Sequence, residues 1–237
     1  MNILLCSIIR NRALFLILWY LQIQKIANNN KDINFSLSVY ENDSIDGSPK
    51  IISQIKKQFG FNFLDEFYFK TEIINTKYYT SIKNDERVQL LANARNKCID
   101  QVSNLSKFSK IVFIEPDIEY PDKCRKLIKS SYDIISGISI HNQTFYDTWA
   151  TRLNQHDTEL PLNISLDSFE NNIINVWSTF NCFCVYNAEP FIKGLRFTGF
   201  NNKTKSHDCD TAIICDLFRD SGYTNIAIDK TFVVKHF

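Results

Sequence analysis

The run Ile111–Pro121, I-V-F-I-E-P-D-I-E-Y-P, passes from four apolar residues straight into two acids one residue apart, Glu115 and Asp117. A short apolar run of this kind reads as a buried strand. Open α/β sheets hold their ligands outside the carboxyl edge, so acids at this strand's end stand where a ligand would sit. Paired carboxylates there suit a hard divalent cation, Mg²⁺ or Mn²⁺, which takes oxygen ligands and bridges to substrate phosphates. Strand ends also meet water, and acids are common there for that reason alone.

Working outward, the chain alternates strands and helices. Ile3–Ile9 reads as a first strand and Asn11–Ile26 as a core-facing helix. Asn34–Tyr40 has the period-2 alternation of a strand and stops at a polar turn, Glu41–Pro49, after which Lys50–Phe59 is helical. A short strand is predicted at Asp65–Phe69 and a helix at Glu86–Val102. Beyond Pro121 the pattern gives a helix at Asp122–Ser130 and a strand at Asp133–Ile140. His141–Asn175 is polar, aromatic and irregular; then come a strand at Trp177–Tyr186, a short helix or turn at Ala188–Gly194, a helix at Asp208–Ser221 and a last strand at Asn225–His236. Alternation of this kind predicts one α/β domain over residues 1–237, with a mostly parallel sheet flanked by helices.

Composition narrows the function classes. With 27 basic against 26 acidic residues, a net charge of +1 and no long run of either sign, nothing marks a nucleic-acid partner. An aromatic share of 14%, with 19 Phe and 10 Tyr, supplies a substantial core and argues against global disorder. The seven cysteines are an odd, scattered set, read as reduced and mostly buried thiols of a cytoplasmic protein. In N-C-F-C-V-Y the alternation places Cys182 and Cys184 on one strand face, as core residues. Met1–Leu21 is apolar, but Arg10-Asn11-Arg12 splits it into runs far short of the ~20 residues a spanning helix needs. No transmembrane segment is expected, and peripheral membrane contact is compatible with this pattern. Asn-x-Ser/Thr sequons begin at Asn34, Asn42, Asn104, Asn142, Asn163 and Asn202 and read as coincidental in an Asn-rich chain.

Several separated segments resemble one family. Tyr40-Glu41-Asn42-Asp43-Ser44-Ile45-Asp46, Leu91-Ala92-Asn93-Ala94-Arg95-Asn96, the Ile111–Asp117 strand, Phe145-Tyr146-Asp147-Thr148-Trp149 and His207-Asp208-Cys209 follow in order the "Y-E-x-x-S-x-D", "L-A-x-x-R-N", acidic-strand, "F-Y-D-x-W" and "S-E-C" motifs of the fungal capsule-associated α-1,3-mannosyltransferases, glycosyltransferase family 69. The resemblance covers about residues 3–236. It implies a GT-A-type, Rossmann-like fold and retaining transfer of a sugar from a nucleotide-diphosphate donor, with GDP-mannose the first donor to consider, to a glycan or glycoconjugate acceptor.

The resemblance also implies site roles, each with a plainer structural alternative. Asp117, with Glu115, matches the acid-x-acid metal motif. The family more usually has Asn-Asp near this point, so Asp117 is the stronger of the two; His236, ending the last strand, would complete the Mn²⁺ or Mg²⁺ shell. Arg95 and Asn96 would face the diphosphate, Arg being the side chain best matched to phosphate, or Arg95 would lie on a solvated face. Glu41, Asp43 and Asp46 would read the ribose or form an Asx-rich turn, and Asn11 and Arg12 are donor-side residues of the same kind. Tyr146, Trp149 and Asn181 would form an acceptor pocket with Asp147; Trp149 reads equally as a buried staple and Asn181 as a backbone partner. Asp147 and Asp208 are the catalytic carboxylates, Asp208 facing the acceptor hydroxyl or simply capping a helix. A nucleotidyl- or sugar-phosphate transferase would favour a glycine-rich loop after the first strand, and Ser7–Arg12 contains no glycine. A carbohydrate-binding relative without catalysis is the non-enzymatic alternative.

Overall fold

β1 (Asn2–Ile9) sets the frame: Ile3, Leu4, Leu5 and Cys6 are fully buried, and alternate residues enter two different cores, Leu4 and Cys6 one, Ile3 and Leu5 the other. A strand buried on both faces carries a continuous apolar run. The computed structural model describes residues 1–121, 123–161 and 165–237. Asp122, at the head of one predicted helix, and the Asn163 sequon lie outside the described residues.

The other strands are β2 (Asn34–Asn42), β3 (Phe67–Glu72), β4 (Lys110–Ile114), β5 (Ile118–Glu119), β6 (Ile134–His141), β7 (Thr144–Phe145), β8 (Ile173–Asn175), β9 (Phe183–Asn187), β10 (Phe200–Asn201), β11 (Ser206–His207) and β12 (Ile226–His236). The helices are α1 (Leu16–Asn29), α2 (Ser48–Gln58), α3 (Asp85–Asp100), α4 (Arg125–Ile128), α5 (Glu189–Ile192) and α6 (Asp210–Asp220). The main sheet runs β3-β2-β1-β4-β9-β6-β12-β5, with β7 on β6 and β8 on β12, while β10 and β11 form a separate hairpin. β3, β2, β1 and β4 are parallel, as are β6 and β12; β9 lies antiparallel between the two groups. The α1, α2 and α4 side chains fill one core, and those of α3, α5 and α6 the other.

Two antiparallel insertions shape the site. The right order of strands brings the ends of β1, β2, β4, β6 and β12 to one edge, where β9 begins. Pairing of β5 with β12, His236 opposite Ile118, then sets the last strand's end against Asp117. Asn142 and Gln143, at φ 48° and 64°, make the two-residue turn between β6 and β7, as a hairpin of type I′ requires.

Several sequence expectations are corrected here. The helix expected from Asn11 begins at Leu16, after a 3-10 turn at Ala13–Phe15, because Asn11 sits at φ 53° and its side chain serves the neighbouring loop. The strand expected at Trp177–Tyr186 is only Phe183–Asn187, since Asn181 and Cys182 turn through φ 53° and 61°. That turn also puts Cys182 and Cys184 in opposite cores rather than on one face. The irregular His141–Asn175 segment contributes to the core through Ala150, Leu160, Leu166 and Ile174, which are buried. All seven cysteines are buried, and none is joined in a disulfide among the described residues. Among the described residues no helix is long and apolar enough to cross a membrane; α1 reads as apolar because Ile17, Leu18 and Leu21 on its outer face stay about half exposed.

Candidate active site

At the end of β4 the backbone is fixed by Glu115 N–H donating to Cys182 O at 2.9 Å, which joins the acidic turn to the start of β9. Burial, then the neighbouring Asp117 charge, pushes the Glu115 carboxyl up to about 7, against the opposing pull of Arg95 and Arg12. Arg12 Nε reaches Asp117 Oδ2 at 2.9 Å, yet Asp117 Oδ1 is buried without a hydrogen-bond partner. A buried carboxylate oxygen left unpaired is costly, so it marks a place where something positive or donating belongs.

The β6–β7 hairpin brings further side chains to this edge. Tyr146 N–H donates to Ser139 O at 2.9 Å, which carries Tyr146 and Asp147 back over the sheet. Asp147 Oδ2 accepts Asn181 N–H at 2.7 Å; burial still raises its carboxyl to about 6. The Tyr146 ring lies 3.9 Å from the His236 ring, with His141 6.0 Å from Tyr146 and 5.8 Å from His236. Tyr146 is 51% exposed, its phenol pushed up to about 12 by burial and by Glu115. Burial lowers His236, and its Nε2 stands 3.3 Å from Cys182 Sγ.

A cleft of about 670 Å³ opens from this edge between the β1 end, α3 and the segment before α3. Its volume is in the range of small-molecule sites. Asn11, Arg12, Arg95, Asn96 and Glu115 line it, while Glu41, Asp43 and Asp46 do not. Those three carboxylates are spent on architecture. Glu41 accepts Ser44 N–H at 2.9 Å and the Thr71 hydroxyl. Asp46 accepts Ala13 N–H at 2.9 Å and both the N–H and hydroxyl of Ser48, at 3.0 and 2.7 Å. Asp43 takes the N–H groups of Ile74, Asn75 and Thr76 at 2.8, 2.9 and 3.0 Å. Burial alone would raise Asp43, but the Thr76 hydroxyl first, then the Thr76 N–H, the Asn42 amide and the Ile74 N–H, outweigh it and hold the carboxyl well below the usual range. The turn expected to read a ribose is therefore the joint between two loops.

Arg95 is not on a solvated face. It is 4% exposed, stacked 4.8 Å over Phe180, paired with Asp210 at 2.5 Å, and 3.8 Å from Glu115, with its Nε unpartnered. Asn96 exchanges both amide groups with the Phe197 backbone, at 2.9 and 2.8 Å, so its polar atoms are engaged within the protein. Asn181 is fully buried, its amide bonded to Ser136, Thr179 and Ser139; it supports Asp147 through its N–H and offers no side-chain atom to a pocket. Trp149 is half-buried against the core with Lys83 Nζ 5.9 Å from its ring. Asp208 pairs with Arg152 at 2.7 Å and accepts Cys209 N–H, ahead of the helix it was expected to cap. Asp210, His141, Tyr78 and Tyr79 escaped the sequence reading. Only Asp210 left a signal, as a second acid at the head of an apolar helix; the others depend on which loops meet at the edge.

Among the described residues no group of three or more His, Cys, Asp or Glu side chains could cage a metal. A divalent ion bound through phosphates needs only one or two carboxylates from the protein. The unpaired Asp117 Oδ1 beside Glu115 fits that mode.

The sheet order, with an antiparallel β9 set among parallel strands and an acidic edge beside a nucleotide-sized cleft, is that of a GT-A-type fold. Residues 2–220 match the family described as Cryptococcal mannosyltransferase 1, and the chain belongs to that family. No curated protein sequence matches it. Among solved structures it is similar to mannosyltransferase PcManGT from Pyrobaculum calidifontis in complex with GDP-Man and Mn²⁺, at 10% identity, TM-score 0.59, over 99% of this chain and 56% of that one. It is also similar to S. aureus TarS 1–349 in complex with UDP, at 12% identity, TM-score 0.56, over 99% of this chain and 60% of that one. The TarS complex with UDP-GlcNAc gives 11% identity and TM-score 0.56, over 100% of this chain and 59% of that one. The chain spans about three fifths of the length of these structures, and identities so low speak for the fold alone.

Proposed function

We propose that the chain transfers a sugar, mannose from GDP-mannose in the first instance, from a nucleotide-sugar donor in the 670 Å³ cleft to a glycan or glycoconjugate acceptor beside Tyr146. The observation that carries this is the unpaired, buried Asp117 Oδ1, two residues along the chain from Glu115, which lines that cleft and is raised to about 7. Asp117 and Glu115, with His236 alongside, would hold Mn²⁺ or Mg²⁺, which when bound neutralises the diphosphate leaving group. The PcManGT complex with GDP-Man and Mn²⁺ is consistent with such a donor and ion.

The chain's own residues divide the rest of the work. Arg12 and Arg95 set positive charge along the donor's phosphate path, Arg12 from the cleft wall and Arg95 from the interior. Tyr146, packed at a tilt against His236 and half exposed, offers a flat face to the C–H surface of a sugar. Asp147, raised to about 6, is largely ionised at neutral pH and positioned by Asn181 N–H; it accepts the proton of the acceptor hydroxyl. Asp208, held by Arg152, orients the acceptor side rather than moving the proton.

Calorimetric titration with GDP, UDP, GDP-mannose and UDP-GlcNAc, with and without Mn²⁺, tests the reading. Metal-dependent binding that disappears in Asp117→Ala is the expected result. Binding that ignores metal, with no transfer or hydrolysis of any donor, defeats it. Retention comes with the family resemblance, and the anomeric signal of the product by NMR decides it.

A further inference from the structure

Residues 73–84 join β3 to α3 without regular secondary structure, and Ile74, Thr76, Tyr78, Tyr79 and Ile82 form one wall of the cleft. A connection of this kind is ordinarily loose, and here it is fastened at several points. Asp43, itself at φ 53°, gathers three successive N–H groups from Ile74 to Thr76 and the Thr76 hydroxyl at 2.5 Å. Asn75, at φ 55°, provides the left-handed turn that lets those N–H groups converge on one carboxylate. Arg10 Nη2 donates to Thr76 O at 3.0 Å and Tyr79 O–H to Glu86 at 2.9 Å. Between these fastenings Tyr78 stands 85% exposed in the cleft wall. An aromatic ring left so exposed on a rigidly anchored segment has a face to give to a flat ligand.

Resting on the donor reading above, we propose that residues 73–82 are the nucleobase-binding wall, that Tyr78 is the ring on which the base stacks, and that Asp43 is the positioning residue that holds the wall in place. Stacking accepts any base by its π-face, so the recognised class is a nucleoside diphosphate. Choice among bases would fall to the polar α3 residues Asn93 and Arg87 on the same cleft.

The test is calorimetry on the full chain with GDP, UDP and inorganic pyrophosphate, all in Mn²⁺. Tyr78→Ala should weaken the nucleoside diphosphates about tenfold, leave pyrophosphate unchanged, and be rescued by Tyr78→Phe. Asp43→Asn should move affinity the same way and speed tryptic cleavage after Lys77 and Lys83, which are exposed. Equal GDP and UDP affinity in wild type and Tyr78→Ala, or equal losses for pyrophosphate and nucleotide, would overturn the inference while leaving the donor reading intact. A wild-type protein that binds pyrophosphate but neither nucleotide overturns both.

Discussion

Two acidic corners lie along the same sheet edge, and they treat their charges in opposite ways. At the β2 corner Glu41, Asp43 and Asp46 are saturated by backbone and hydroxyl donors, and those bonds hold the Asp43 and Asp46 carboxyls low. At the β4 corner Glu115 and Asp147 are raised to about 7 and about 6, and Asp117 keeps an unpaired oxygen. Both corners are rich in acids, so acidity does not separate architecture from chemistry. The supply of hydrogen-bond donors does: a carboxylate whose lone pairs are filled is structural, while one that is crowded, desolvated and unfilled is poised for a ligand.

The contrast breaks most visibly at its hinge, the buried Arg95–Asp210 pair. Arg95→Ala leaves Asp210 uncompensated in the interior and is expected to cost about 3–5 kcal/mol in urea unfolding; a loss below 1 kcal/mol would show that the pair does not organise the β4 corner. Asp117→Ala should lower affinity for Mn²⁺ with GDP by about 100-fold or more, near 2.7 kcal/mol, with its thermal midpoint essentially unchanged. A matching loss of fold would instead make Asp117 as structural as its counterparts at the β2 corner.

The two corners should also respond to pH with opposite sign. Glu115 has a folded carboxyl raised to about 7, so the folded state keeps a proton that the unfolded state loses from about pH 4.5 upward. Its contribution to stability is full at low pH and is lost as pH rises toward about 7, by up to about 3 kcal/mol. Glu115→Gln should remove this slope from midpoints measured between pH 4.5 and 7.5, leaving the smaller slope of Asp147, which ends near 6. Asp43 runs the other way: its depressed carboxyl stabilises above the ordinary carboxylate range and gives way only as pH falls. Smallest of the effects, Asp46→Ala should cost about 1 kcal/mol, as loss of a helix cap does, with nucleotide affinity unchanged; a drop in affinity would return Asp46 to the donor site.

Much of this was legible in the chain. The Ile111–Ile114 run, the apolar first strand and the strand-helix alternation fixed a layered α/β domain, because residues buried on both sheet faces must be apolar in series. The acids at the end of β4, by residue type, and the F-Y-D-T-W segment, by its family resemblance, pointed to the sheet edge where the candidate site is proposed. What residue type could not supply was the partner of each charge. Asp43 and Asp117 are the same side chain at comparable strand ends, and only the loop at 74–76 and the approach of Arg12 and His236 make one a fastening and leave the other with a free oxygen. Asp210 and Arg95 are 115 positions apart, a pairing that no local pattern encodes. The sequence determined which elements form and which edge is acidic, since burial and periodicity are local. The tertiary structure decided which acids remain available, since hydrogen-bond saturation and desolvation depend on what distant segments bring to that edge.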